Sequence, residues 1–288
     1  MTEFTRFVKE WLAPPAVWQW LTNANHNLRL ARMSSEDRRL LSDNQRLKDR
    51  HLGSRCFILG AGSSVKDQDI KKLQGEIVIS VSNTFVHPHF GLIKPRYHVV
   101  PSLIEGHGHT HSEEKFRDWL DVMEASTGAA EMFFHIGDRE MIERYGLFKN
   151  RIVHWVKFCA WNGHLDTPID LSRVPGIWSV SELALTIALY LGFERIYLIG
   201  VDHDWFKGLL VYFYDHTKEH ALQPDSSSLS FVDSEFQMRR HAAIFKKYKY
   251  LYSIRHNIYN ANASPNHYLD IFPKVDYESL FIDKTNER

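Results

Sequence analysis

The chain reads as an α/β protein built on a doubly wound, mostly parallel sheet with helices on both faces. Three observations predict it. Short, continuously apolar runs recur at 56–59, 77–81, 97–100, 132–136, 195–201 and 258–262, the length and character of strands buried on both faces. Segments with helical spacing lie between them, at 113–125, 139–145, 183–191 and 235–252. Polar residues stand directly after the apolar runs, as Ser82-Asn83, Pro101-Ser102 and Asp202-His203-Asp204. In open α/β sheets, ligands bind at the carboxyl ends of strands, so this is a Rossmann-like pattern with a site at that edge.

Composition narrows the function classes. Lysine plus arginine and aspartate plus glutamate number 35 each in 288 residues, so no whole-chain field favours a nucleic acid polymer. The two cysteines, Cys56 and Cys159, do not make a disulfide framework and suit a reducing compartment, so a cytoplasmic location is expected. No apolar run has spanning length, and no secretory signal pattern is present.

Residues 1–50 read as an N-terminal helical, amphipathic extension, and 51–288 as the Rossmann-like domain. In the extension, Phe4, Phe7, Val8, Trp11, Leu12, Val17, Trp18, Trp20 and Leu21 lie among charges and a Pro14-Pro15 break. Two readings stand side by side. One is peripheral contact of residues 1–25 with the inner face of the cytoplasmic membrane; the other is packing on the domain or on a second copy in a homo-oligomer.

The first strand runs into Gly60, Ala61, Gly62, Ser63 and Ser64. Glycines permit a tight turn and close approach of a phosphate to backbone N–H groups at the start of a helix. The third glycine of the dinucleotide fingerprint and the Gly-Lys-Ser/Thr of the P-loop are both missing. Asn83, at the second strand end, can donate to and accept from a nucleobase or ribose, or form a turn. His107, His109 and His111 alternate among glycines, which suits a solvated or closing loop better than a metal site with one ligand type. Segment 206–234, serine-rich around 225–230, reads as a lid-like insertion.

The stretch 176–205 is the most informative. Ser179 and Ser181 are N-cap residues in pattern, and Glu182 suits the positive end of a helix dipole. Leu183, Ile187, Ala188 and Leu191 share one helix face, and Gly192 ends the helix. The apolar run 195–201 then delivers Asp202 and Asp204 to the sheet edge. Their Asp-x-Asp form suits Mg²⁺ or Mn²⁺ on a diphosphate, and equally a carboxylate hydrogen-bonded to a neighbouring loop.

Three pieces in order carry a family resemblance: Leu59-Gly60-Ala61-Gly62-Ser63-Ser64, residues 188–202 (ALYLGFERIYLIGVD), and Ile258-Tyr259-Asn260 with Phe272-Pro273-Lys274-Val275-Asp276. They resemble the MptE-like superfamily, which includes 6-hydroxymethylpterin diphosphokinases and proteins of bacterial surface-glycan gene sets. They are also similar to the bacterial CMP-sialic acid sialyltransferases. That resemblance implies a cytidine nucleotide held by Gly60 to Ser64, Asn83, Ser102, Ser179, Ser181 and Asp202. It implies tyrosines on the departing phosphate, here Tyr212 with Tyr214 as neighbour, and a general base for which His216, His220, His241 and Asp233 are candidates.

The function so implied is an inverting glycosyltransferase of lipopolysaccharide or capsule biosynthesis. It would move an acidic sugar, Kdo or sialic acid in type, from a CMP-linked nucleotide-sugar donor to a glycan or glycolipid acceptor, with no cofactor required. The other branch implies diphosphate transfer from ATP to a pterin-like alcohol, with a divalent metal on Asp202 and Asp204. A non-catalytic, membrane-peripheral scaffold is the third reading.

Overall fold

The computed structural model describes residues 15–103, 112–159, 169–203, 212–214, 234–262 and 269–282. Nine strands are present among them: β1 (Arg55–Leu59), β2 (Val78–Val81), β3 (Tyr97–Val99), β4 (Glu131–His135), β5 (Val153–Val156), β6 (Phe158–Cys159), β7 (Val174–Pro175), β8 (Arg195–Ile199) and β9 (Ile258–Asn260). Seven form one sheet in the order β5-β4-β3-β2-β1-β8-β9, and every pairing in it is parallel. The chain winds outward from β1 to β5, then returns to place β8 on the other side of β1. The winding therefore reverses between β1 and β8, the switch point at which a crevice opens in such sheets. β6 and β7 pair within a stretch whose sequence pattern is irregular.

Alternation along the central strands sorts side chains onto two faces. Cys56 and Ile58 of β1, with Ile196 and Leu198 of β8, join one buried cluster. Two helices cover that face: α6 (Val180–Tyr190) and α7 (Ser234–Ile254), which contributes Ile244, Tyr248 and Leu251. Phe57, Leu59, Tyr197 and Ile199 point the other way, into a cluster closed by Tyr277 and Phe281. Beside β4, helix α4 (Glu113–Ser126) buries Phe116, Trp119, Leu120 and Met123, an i, i+3, i+4, i+7 row. Residues 181–190 of α6 are buried all round, so that helix runs through the core rather than over it.

The N-terminal part is helical: α1 (Pro15–Ala31) and α2 (Ser35–Ser42). The link into the sheet is built into the body. Leu41 and Leu47 lie in the core clusters, and Asn44 Nδ2 donates to the Trp155 carbonyl at 2.6 Å. The N–H groups of Asp49 and His51 donate to the carbonyls of Tyr190 and Leu191, where α6 ends. Helices α3 (Phe90–Ile93) and α5 (Arg139–Arg144) are short connectors.

Two local outcomes differ from the sequence pattern. The segment after the glycine-rich turn is a five-residue 3₁₀ turn (Ser63–Asp67), so it brings no long helix dipole to the sheet edge. The last strand-forming residue of the 195–201 run is Ile199. Gly200 has φ +64°, which swings the chain out of the sheet before Asp202. Cys56 and Cys159 are both free.

Candidate functional site

The switch point is closed by backbone before any side chain takes part. Gly60 N–H donates to the Ile199 carbonyl at 2.7 Å, and Gly62 N–H to the Gly200 carbonyl at 2.8 Å. A Cβ on Gly60 would overlap the Gly200 oxygen, and one on Gly62 would overlap the Asp202 carboxylate. Both glycines are thus needed for the turn after β1 and the exit from β8 to touch. Asp202 completes the junction: Ser64 N–H donates to Oδ2 at 2.9 Å, and Ser64 Oγ–H to Oδ1 at 2.6 Å. In residues 60–64, alternate N–H groups, those of Gly60, Gly62 and Ser64, are therefore engaged by the protein itself.

Tyr212, Phe213 and Tyr214 lie across this turn. Tyr212 forms an antiparallel bridge with Gly62, and Phe213 N–H donates to the Ala61 carbonyl at 3.2 Å. The rings of Tyr212 and Tyr214 stack, with centroids 5.2 Å apart and planes 11° from parallel. Asn83, at the end of β2, meets them: its Nδ2 donates to Tyr214 Oη at 2.9 Å, while its Oδ1 accepts from Trp119 Nε1 at 2.6 Å. Trp119 thereby holds the amide in one orientation. Burial raises the pKa of both tyrosines, opposed at Tyr212 by the charge of Arg240 and at Tyr214 by the Asn83 hydrogen bond. Both hydroxyls are neutral hydrogen-bond donors at working pH.

A second polar group sits at the start of α6. Ser179 and Glu182 form a capping box, and the Glu182 carboxylate also accepts from Trp178 N–H at 2.6 Å. Lys247 of α7 faces the same carboxylate at 3.3 Å, both side chains fully buried, and also donates to the carbonyls of Pro175 and Gly176. Ser181 Oγ lies 2.6 Å from Ser179 Oγ and accepts from Tyr248 Oη at 3.0 Å. Tyr248 Oη is in turn 2.7 Å from His203 Nε2. His203 has φ +53°, a conformation unusual for a side chain with a Cβ, and it turns the ring toward α6 and α7. Burial, with the charges of His241 and Arg240, lowers its pKa to about 3. Arg240 donates through Nε and Nη2 to the Trp178 carbonyl, at 3.1 and 2.7 Å. Its charge reaches Tyr212 on one side and His203 on the other, and so links the two groups.

The sequence candidates are thus placed as follows. Gly60 to Ser64, Asn83, Asp202, Tyr212 and Tyr214 are joined by direct contacts at the switch point. Ser179 and Ser181 belong to the neighbouring group with His203. Ser102 is buried just beyond β3. His241 lies on α7 against Phe245, ring centroids 4.2 Å apart. Asp204, His216, His220, Asp233, the 206–211 and 215–233 parts of the lid-like insertion and the histidines at 107, 109 and 111 lie outside the described residues. Both Asp202 oxygens accept from Ser64, and among the described residues no three His, Cys, Asp or Glu side chains are grouped as metal ligands. Tyr248, Arg240 and Trp119 join these groups without a signal in the sequence pattern, and they come from helices far away in the chain; His203 stands in the sequence at a strand end but is not among the candidate site residues there.

No family model matches the chain, and no curated protein sequence matches it. Among solved structures it is similar to the sialyltransferase CstII from Campylobacter jejuni in complex with a substrate analogue, cytidine-5'-monophosphate. The identity is 15% and the TM-score 0.44, over 78% of this chain and 85% of that one. It is similar also to the sialyltransferase CST-II in complex with trisaccharide acceptor and CMP, at 15% identity and TM-score 0.42, over 77% and 85% of the two chains. At such identity and TM-score, the chemistry of this chain has to be derived from its own residues.

Proposed function

We propose that this chain is an inverting glycosyltransferase that takes an acidic sugar, Kdo or sialic acid in type, from a CMP-activated donor to a glycan acceptor of the bacterial surface. The observation that carries the reading is the pair of stacked, neutral tyrosines folded across the glycine-rich turn and tied to Asn83. Transfer from a CMP-sugar breaks the bond between the anomeric carbon and a phosphate oxygen. The negative charge that develops on that oxygen needs fixed hydrogen-bond donors rather than a base. Neutral hydroxyls of Tyr212 and Tyr214 at the switch point are donors of that kind. A general base takes the proton of the acceptor hydroxyl as its oxygen attacks the anomeric carbon from the opposite face, and CMP leaves. His241 is the described residue suited to that part; His216, His220 and Asp233 are the others.

Diphosphate transfer from ATP is the competing reading, and it requires a divalent cation. Asp202 is already committed to Ser64 through both oxygens, so a cation there would have to share a carboxylate that ties the turn after β1 to the exit of β8. Thermal shift separates the two readings, since a ligand that binds only the folded state raises its apparent stability. CMP should raise the melting temperature without added metal. A shift with ATP and Mg²⁺ and none with CMP would replace the glycosyltransferase by the kinase. No shift with any nucleotide would leave a non-catalytic protein.

A further inference from the structure

Helix α1 is amphipathic, but its apolar stripe faces outward. One side seats it. His26 is buried, Asn23 and Asn27 Oδ1 accept from the Arg173 guanidinium at 3.3 Å each, and Leu30 packs on the core beside Met33. These positions, 23, 26, 27 and 30, share one helix face. Val17, Leu21 and Leu28 fall on the opposite face and are 47, 47 and 57% exposed; Trp20, 67% exposed, flanks that face on the side of Asn27. A surface helix ordinarily turns its apolar stripe to the core; α1 is held by its polar side, with a tryptophan and three aliphatic side chains turned to water.

Charge identifies what covers that stripe. Between Glu10 and Glu36 the chain has no aspartate or glutamate, whereas Arg29 and Arg32 are both exposed at the end of the same helix. The next acidic residues, Glu36 and Asp37, are paired with Arg139 at 3.2 and 2.9 Å. Among the described residues no helix is long and apolar enough to cross a membrane, so α1 is suited to lie in an interface rather than to span one. We propose that the outward face of α1 docks on an anionic lipid surface, with Trp20, Leu21 and Leu28 entering the headgroup boundary and Arg29 and Arg32 meeting lipid phosphates. Lipid binding by this face does not depend on the reaction proposed above.

The test is cosedimentation of the full chain with vesicles of phosphatidylcholine, with and without phosphatidylglycerol. The protein should pellet with the anionic vesicles, less with the neutral ones, and less again as salt rises. Trp20→Glu with Leu28→Glu should lower the bound fraction about tenfold. Both positions are exposed, so the circular dichroism and melting temperature of the variant should stay those of the parent. Protein that stays in the supernatant with both vesicles would overturn the proposal, as would a variant that pellets like the parent. Equal binding to both vesicles would remove the role of Arg29 and Arg32. A dimer by light scattering that the variant splits, without vesicle binding, would make a second copy of the chain the occupant.

Discussion

Ser64 binds Asp202 twice, backbone N–H to Oδ2 and side-chain hydroxyl to Oδ1, across 138 positions of sequence. The carboxylate is buried and ties the turn after β1 to the exit of β8 at the point where the winding of the chain reverses. Asp202→Asn keeps the shape but removes the charge from both hydrogen bonds and leaves one acceptor oxygen for the Ser64 N–H, so that Ser64 Oγ has to turn and accept from the new amide. It should cost about 1–3 kcal/mol of unfolding free energy in urea. Ser64→Ala removes only the hydroxyl bond and should cost less. The two changes together should cost less than their sum, because they share one contact. Full additivity would mean that the contact contributes nothing.

Gly60→Ala should be more damaging than either. Its new Cβ would overlap the Gly200 carbonyl, which is backbone and cannot rotate away. A loss of about 2–4 kcal/mol, read as a lower thermal midpoint, is expected from such overpacking. Gly75→Ala is the control: φ there is +81°, but the added Cβ meets nothing within 4 Å, so only the backbone strain should appear.

Tyr212 and Tyr214 separate by readout. Tyr212→Phe should lower turnover on the order of tenfold to a hundredfold while the CMP dissociation constant changes little, because its hydroxyl acts on charge that develops only in the transition state. Tyr214→Phe also takes away the oxygen to which Asn83 Nδ2 donates, so nucleotide affinity and stability should fall with it, the latter by about 1 kcal/mol. Single-turnover kinetics beside calorimetric titration of CMP checks both. An unchanged rate for Tyr212→Phe removes the leaving-group role.

Acid should destabilise the fold earlier than its carboxylates alone would. Burial, before any neighbouring charge, lowers the pKa of His98, His135 and His203 from 6.5 to about 3, and that of His26 and His87 to about 4. Below 6.5 the unfolded chain takes up protons at these sites and the folded chain does not. Stability is therefore full above 6.5 and falls as pH drops from there toward 4. The depressed Glu131 carboxylate adds its own loss only at lower pH. Urea midpoints near neutral pH and at about pH 5 should differ clearly, and His87→Asn should reduce the difference. A flat profile over that window would show that the buried rings protonate in the folded state.

Much of the architecture is legible in the chain itself. The apolar runs of β1, β2, β4 and β8 are continuous because both faces of each strand are covered, and covered strands leave that mark in the sequence. The 116, 119, 120 and 123 row of α4 and the Ser179–Glu182 cap of α6 are signals within one or two helical turns. They need no knowledge of the partner. The glycine-rich turn and the polar strand ends likewise mark the carboxyl edge of the sheet, where Ser64, Asn83 and Asp202 meet their partners.

The alternation of elements and the polar strand ends follow from short-range periodicity and are therefore written in the chain. Which residues meet at that edge follows from packing. Asp202 is held by Ser64, Asn83 stands between Trp119 and Tyr214, and His203 turns toward Tyr248. Tertiary packing also decided that α1 is seated by its polar side, which leaves Trp20 and Leu28 facing out. In these contacts of Asp202, Asn83 and His203 the partners are 36 or more residues apart, and Ser64 and Asp202 are 138 apart; only packing of the sheet and helices brings such positions together.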